Sequence, residues 1–179
     1  MFLVILVALL WALPSVIRIY GPTGERRYRD EGWIRPTGGW VLGALAVAVT
    51  VIILWLITLL AVPATIYGAE RGTSSLTTIL IMLPAAAIWA VGEELFFRGW
   101  LQGLLQRRLS GTWPVLLQAA AYALMYALTL LVDPGMWVLV PYQFVSALLY
   151  GELRRRSGSV WVAVIAHAVA MVVTVATLL

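Results

Sequence analysis

The chain alternates between long apolar runs and short polar breaks. A helix that spans a bilayer needs about 20 mostly apolar residues. Six runs meet or approach that length, over residues 1–17, 40–64, 76–100 with a polar extension to 108, 113–132, 135–150 and 159–179. The fifth is short. The runs are continuous and do not alternate polar with apolar positions, which excludes a transmembrane barrel. The pattern predicts an all-α, polytopic membrane bundle of about six transmembrane helices. It forms a single integral domain over 1–179, with no internal repeat. A cleaved leader would carry basic residues ahead of its apolar run, whereas the first arginine here, Arg18, follows it. The first run is therefore expected to be a retained helix.

Composition agrees with this reading. Hydrophobic residues make up 63% of the chain and charged residues 11%, against roughly 25% charged in soluble domains. The absence of cysteine removes disulfides, thiolate chemistry and cysteine-ligated metals. Every basic residue is arginine. Arg18, Arg26, Arg27, Arg29 and Arg35 lie between the first and second runs, Arg107 and Arg108 between the third and fourth, and Arg154, Arg155 and Arg156 between the fifth and sixth. The alternate breaks hold only Arg71, Glu70 and Asp133. The positive-inside rule then places the arginine-rich breaks in the cytoplasm and both termini outside. The net charge of +4 is thus a topology signal, and no nucleic-acid partner is expected. The break over 18–39 reads as a solvated loop that meets anionic headgroups, with a soluble docking partner as the alternative. Trp11, Trp33, Trp40, Trp100, Trp113, Trp137 and Trp161 fall near predicted helix ends, where tryptophan anchors a span at the interface.

Against this background the intramembrane polar residues stand out. Ionisable groups at bilayer depth cost about 2.5 kcal/mol or more each and face the bundle interior. The third run carries Glu93, Glu94 and Arg98. Glu94 and Arg98 are four apart and can pair on one helix face, whereas Glu93 is turned by about 100° and needs another partner or a proton. The only histidine, His167, is eight residues into the sixth run, about 12 Å deep. Gln118, Tyr122 and Tyr126 make a polar stripe on the fourth. Helices three, four and six can therefore bring Glu93, Glu94, Tyr122, Tyr126 and His167 to one cavity. Two readings fit these residues: a buried acid/base site that activates water, or a satisfied polar network that fixes helix packing. No metal or other cofactor is expected, because catalytic zinc wants three protein ligands, commonly several histidines.

The run Glu93-Glu94-Leu95-Phe96-Phe97-Arg98-Gly99 resembles the EExxxR motif of the CPBP family. That family includes CAAX prenyl endopeptidases and bacteriocin-processing or self-immunity membrane proteins. Residues 151–161, leading to His167, resemble the lead-in and start of the family's third motif. The resemblance covers residues 76–175. It implies a glutamate that activates water, with two histidines and an asparagine around it. Glu93 and Glu94 match the glutamate pair, Arg98 the motif arginine and His167 the third-motif histidine. Two positions depart from the pattern. Tyr122 opens the second motif, FxxxH, in place of its aromatic, and Tyr126 stands where its histidine belongs. Met171 replaces the asparagine of HxxxN. A neutral tyrosine is a poor base, with its pKa near 10, and losing one oxyanion donor costs about 10²–10³ in rate.

The expectation is therefore a degenerate member of the family in a bacterial inner membrane. It would be a non-catalytic accessory or scaffold subunit, with lipid and other membrane protein subunits as partners. The alternative is an active intramembrane endopeptidase acting on a membrane or prenylated peptide. In that case Glu93 or Glu94 activates water, His167 assists and Tyr126 acts as electrophile, with Arg98 and Tyr122 structural. A transporter or channel has less behind it, since no broken helix pair or inverted repeat is visible.

Overall fold

The computed structural model describes residues 2–20, 31–61 and 76–177. Six main helices are present among them: α1 (Phe2–Tyr20), α2 (Gly38–Ala61), α3 (Leu76–Gln106), α4 (Trp113–Ala127), α5 (Leu139–Ser157) and α6 (Val160–Ala176). The chain is an all-helical, polytopic membrane bundle. Three helical stretches, Gly38–Ala61, Leu76–Gln106 and Trp113–Leu131, are long and apolar enough to cross a membrane unaided. Leu6–Arg18 and Val160–Ala176 are shorter apolar stretches. α5 is more polar than a lone span, with Tyr142, Gln143, Ser146 and Tyr150 along it. It is tolerated because it lies against α4, α6 and α2.

The fourth helix stops earlier than its apolar run, which continues as a 3₁₀ turn over Leu128–Leu131. Pro134 then imposes an extended conformation on Asp133. The Asp133 carboxylate accepts the Gly135 N–H at 2.8 Å, opening a second 3₁₀ turn over Pro134–Val138. α5 starts only at Leu139, and it runs on past the predicted end at 150 to Ser157, where Gly158 closes it in the left-handed conformation.

α6 is the central helix, packed on α2, α3 and α5. Its Ala163, Ala166 and Ala170 share one buried cluster with Ala44 and Ala48 of α2. Small side chains let helix backbones approach closely where lipid supplies no hydrophobic drive. The α1–α3 contact is tighter still. A Cβ on Gly92 would fall 2.5 Å from the carbonyl oxygen of Ala8, so only glycine fits there. Leu9, Leu10 and Ile17 of α1 and Leu42, Val49, Ile53 and Leu60 of α2 are exposed outward, as a lipid-facing surface requires.

One expectation gains detail and another changes. Of the seven tryptophans read as interface anchors, Trp113 and Trp137 are mostly exposed and the other five are half-buried. Trp11 packs its ring on Trp89 and Phe97, and Trp33 meets Trp161 edge-on. The loop over 18–39 is also not uniformly solvated. Residues 21–30 lie outside the described residues, but Glu31 is fully buried, accepting the Ser15 hydroxyl at 2.6 Å and lying 3.2 Å from the Arg18 guanidinium. The Gly32 carbonyl accepts the Val160 N–H at 2.7 Å, and the Ile34 carbonyl accepts the Ser159 hydroxyl. The segment straps the end of α1 to the start of α6. A buried backbone needs such partners, and Ser159 and Val160, at the start of α6, supply them.

Candidate functional site

α3 supplies four functional side chains on successive turns: Trp89, Glu93, Glu94 and Arg98. It is α-helical through Glu94 and a π-helix over Leu95–Leu101. Wide turns of this kind occur mostly as short insertions and frequently at functional sites. Glu93, Glu94, Arg98 and Tyr122 are fully buried, and His167 is 5% exposed.

Glu94 makes the ion pair that its spacing predicts. Its Oε1 lies 2.8 Å from Arg98 Nη1 and 2.7 Å from His167 Nδ1. The Arg98 guanidinium sits over the rings of Tyr122, 4.7 Å from the centroid, and Tyr150, at 5.3 Å. Stacking on two aromatic faces partly replaces the water that the cation has lost. Glu93 is held differently. Trp89 Nε1–H donates to its Oε1 at 2.7 Å, the Tyr126 hydroxyl donates to the same oxygen at 2.9 Å, and the Tyr122 hydroxyl donates to Oε2 at 2.7 Å. His167 Nε2 stands 3.6 Å from Oε2, beyond hydrogen-bond range. The His167 ring is stacked on Tyr150 with 4.8 Å between centroids. The imidazole therefore stands between the two carboxylates.

All six residues singled out from the sequence, Glu93, Glu94, Arg98, Tyr122, Tyr126 and His167, meet in this layer. Gln118 does not join them. Its amide donates to the carbonyls of Val115 and Ala147 and ties α4 to α5. Two partners escape sequence reasoning. Trp89 had a usable signal, its place one helical turn before Glu93. Tyr150 had none, because only the packing of α5 on α6 brings it to His167.

A cavity of about 200 Å³ borders the layer, its wall including Tyr126, Tyr150, His167 and Met171. The glutamates are not part of its wall; they lie behind Tyr126 and His167. A general base must reach its water within about 2.6–3.2 Å. Here Oε1 of Glu93 already accepts two hydrogen bonds, and Oε2 accepts one and faces an imidazole. Among the described residues no three His, Asp or Glu side chains are arranged to hold a metal ion.

No curated protein and no solved structure matches the chain. The family model described as type II CAAX prenyl endopeptidase Rce1-like matches residues 75–173, from the start of α3 to most of α6. These residues carry every side chain of the buried glutamate layer, and the chain belongs to the Rce1-like family of type II CAAX prenyl endopeptidases.

Proposed function

We propose that this chain is a non-hydrolytic member of its family, an accessory or scaffold subunit of a larger membrane complex. The observation that carries this reading is the occupancy of Glu93, whose carboxylate is filled by Trp89, Tyr122 and Tyr126. Tyr126 takes the position of a motif histidine and turns its hydroxyl onto the acid, where a base would leave room for water. Met171, in place of the motif asparagine, lends the cavity a thioether and no hydrogen-bond donor. The glutamate layer then serves as a polar clamp among α3, α4 and α6. The test is gentle solubilisation followed by sizing and identification of co-migrating membrane proteins. A lone, monodisperse 19.6 kDa species in several detergents would overturn the accessory role.

One observation favours a second reading, an active intramembrane endopeptidase. His167 lies 2.7 Å from Glu94 and 3.6 Å from Glu93, as an assisting histidine would. This reading requires cleavage of a membrane or prenylated peptide that disappears in Glu93→Ala or Glu94→Ala. Cleavage that survives in both variants would exclude it.

In either reading we propose that the arginine-rich ends of α3 and α5 face the cytoplasm of a bacterial cell. The chain has no cysteine, so a single Ser110→Cys or Asp133→Cys is a unique label. Ser110→Cys should be blocked only by reagents that reach the cytoplasm, and Asp133→Cys by reagents added outside.

A further inference from the structure

Residues 31–34 form a short non-helical strap across the arginine-rich end of the bundle, and its contacts fall on four helices. Glu31 is fully buried and is held by two residues of α1, the Ser15 hydroxyl and the Arg18 guanidinium. Trp33 Nε1–H donates to Ser15 Oγ at 3.3 Å, and its ring meets Trp161 of α6. The carbonyls of Gly32 and Ile34 accept from Val160 and Ser159 at the start of α6. Gly32 has φ +74° and lies close to the end of α5. A Cβ there would fall 2.5 Å from Arg154 Nε and 2.8 Å from the Gly158 carbonyl oxygen. On α3, a Cβ on Gly99 would meet Ser15 Oγ at 3.0 Å and the Glu31 carbonyl oxygen at 3.9 Å.

Gly99 follows Arg98 directly, so the strap and Ser15 sit against the end of the glutamate layer. At its other end α1 presses on Gly92 through the Ala8 backbone. These two contacts bracket Glu93, Glu94 and Arg98 on α3. The polar residues that the strap touches are covered: Ser15 is 0%, Arg154 4% and Ser159 1% exposed. Ile34 and Arg35, further along, are exposed.

We infer that residues 31–34 are a releasable latch that seals the arginine-rich end of the glutamate layer, with Glu31 as its catch. Two features separate a latch from ordinary packing. The strap is not helical, so it lifts without unwinding a helix, and segments held by few contacts open locally before the fold does. Its catch is also a charge. A buried carboxylate is costly unless it is paired, and a neutral side chain would fill the same space. The partner, Arg18, is 17% exposed, so the pair is parted from the water side. Closed, as here, the latch keeps water at that end away from the polar layer. Lifted, it admits water there.

The chain has no cysteine, so single cysteines report the latch through labelling of the full chain in detergent by a neutral, water-soluble maleimide. Ser159→Cys lies under the strap. Gln102→Cys is at a fully buried position four residues past Arg98. Glu31→Gln keeps an oxygen for Ser15 and removes the charge that holds Arg18. With it, both cysteines should label about tenfold or more faster, as the loss of a charged hydrogen-bond partner predicts. Gly32→Ala drives a methyl onto Arg154 and strains a positive φ, so it should speed both by a separate route. Ser146→Cys, at a position 2% exposed and about 12 Å along α5 from Arg154, should keep its rate. Faster labelling of Ser159→Cys alone would show a strap that lifts without unsealing the layer, and would overturn the inference. So would unchanged rates, or an equal rise at Ser146→Cys, which would mark general loosening. Should both latch variants fail to fold, the intact latch decides. Salt at about 1 M weakens the Arg18–Glu31 pair and should speed Gln102→Cys but not Ser146→Cys; no response would overturn the latch. The assay reads access and not turnover, so peptide cleavage by the chain would sink the non-hydrolytic reading without touching this result.

Discussion

Glu93 and Glu94 stand side by side on α3 and neither is exposed, but Glu94 meets a guanidinium and an imidazole, whereas Glu93 meets an indole and two phenols. The first environment answers charge with charge. The second surrounds the acid with neutral donors and supplies no cation in hydrogen-bond contact. Successive residues point about 100° apart, so one helix presents the two acids to different neighbours, α6 for Glu94 and α4 for Glu93. The lesson is that two adjacent carboxylates of the same motif need not share a role. One is part of an ion pair that cannot lose a member cheaply, and the other belongs to a hydrogen-bond set that can lose members one at a time.

The contrast has a graded consequence for stability. Arg98→Met leaves the Glu94 charge buried with only His167 beside it, and should cost about 3–5 kcal/mol. Removing both partners, in Glu94→Met with Arg98→Met, should cost less than either single change. Reversible unfolding in mixed micelles measures this. A double variant as unstable as the sum of the singles would mean that the pair is not a unit. On the Glu93 side, Tyr122→Phe removes the one hydrogen bond to Oε2 and should cost about 1.5–3 kcal/mol, as for bonds to charged groups. Tyr126→Phe should cost less than Tyr122→Phe, because Trp89 still serves Oε1. If the two tyrosine variants melt alike, the three donors are not independent.

Gly92→Ala acts on the same side from a distance. The new methyl meets the Ala8 backbone, so α1 must shift, carrying Trp11 away from Trp89. The expected loss is about 1–3 kcal/mol, with a change in tryptophan fluorescence. An unchanged spectrum would show that α1 yields without disturbing Trp89.

The smallest effect lies at the arginine-rich end. Glu152 bonds Arg155 at 2.6 Å and also contacts Arg156. The Arg155 hydrogen bond holds its carboxyl well below the ordinary range, at about 2. A carboxyl lowered on folding stabilises the protein above its unfolded value of 4.5, and that contribution fades as pH falls from there toward 2. The group is partly exposed at the end of α5 and its arginine partners more so, so Glu152→Gln should cost only about 0.2–1 kcal/mol at neutral pH, and less at high salt. A melting curve that responds to neither salt nor acid in this window would contradict the pairing.

Much of this was legible beforehand. Continuous apolar runs mark six helices, and the four-residue step from Glu94 to Arg98 marks their pair. The depths of Glu93, Tyr122, Tyr126 and His167 place them in one layer. The remainder depended on contacts between distant segments. Trp11 looks like an interface residue because of its place in the first apolar run, and only the tertiary structure shows its ring packed on Trp89 and Phe97. The break after Arg18 looks like a solvated loop because its charges dominate it. The burial of Glu31 depends on Ser15 and Arg18 of α1. The π-helical turn after Glu94 has no sequence signal of its own. The bounds of α4 and α5 were displaced because a periodic apolar pattern does not register a 3₁₀ turn capped by Asp133.

The Ala8–Gly92 contact also bears on how the protein is made. The family match begins at residue 75, yet α1, outside it, presses its backbone against α3 one residue before the glutamates. α1 is synthesised before α3, with α2 between them. The first helix must therefore stay in the bilayer without its final contact until α3 arrives. The bilayer must hold α1 as a lone apolar helix during that interval, and the α1–α3 contact closes only after the glutamate-bearing helix has entered.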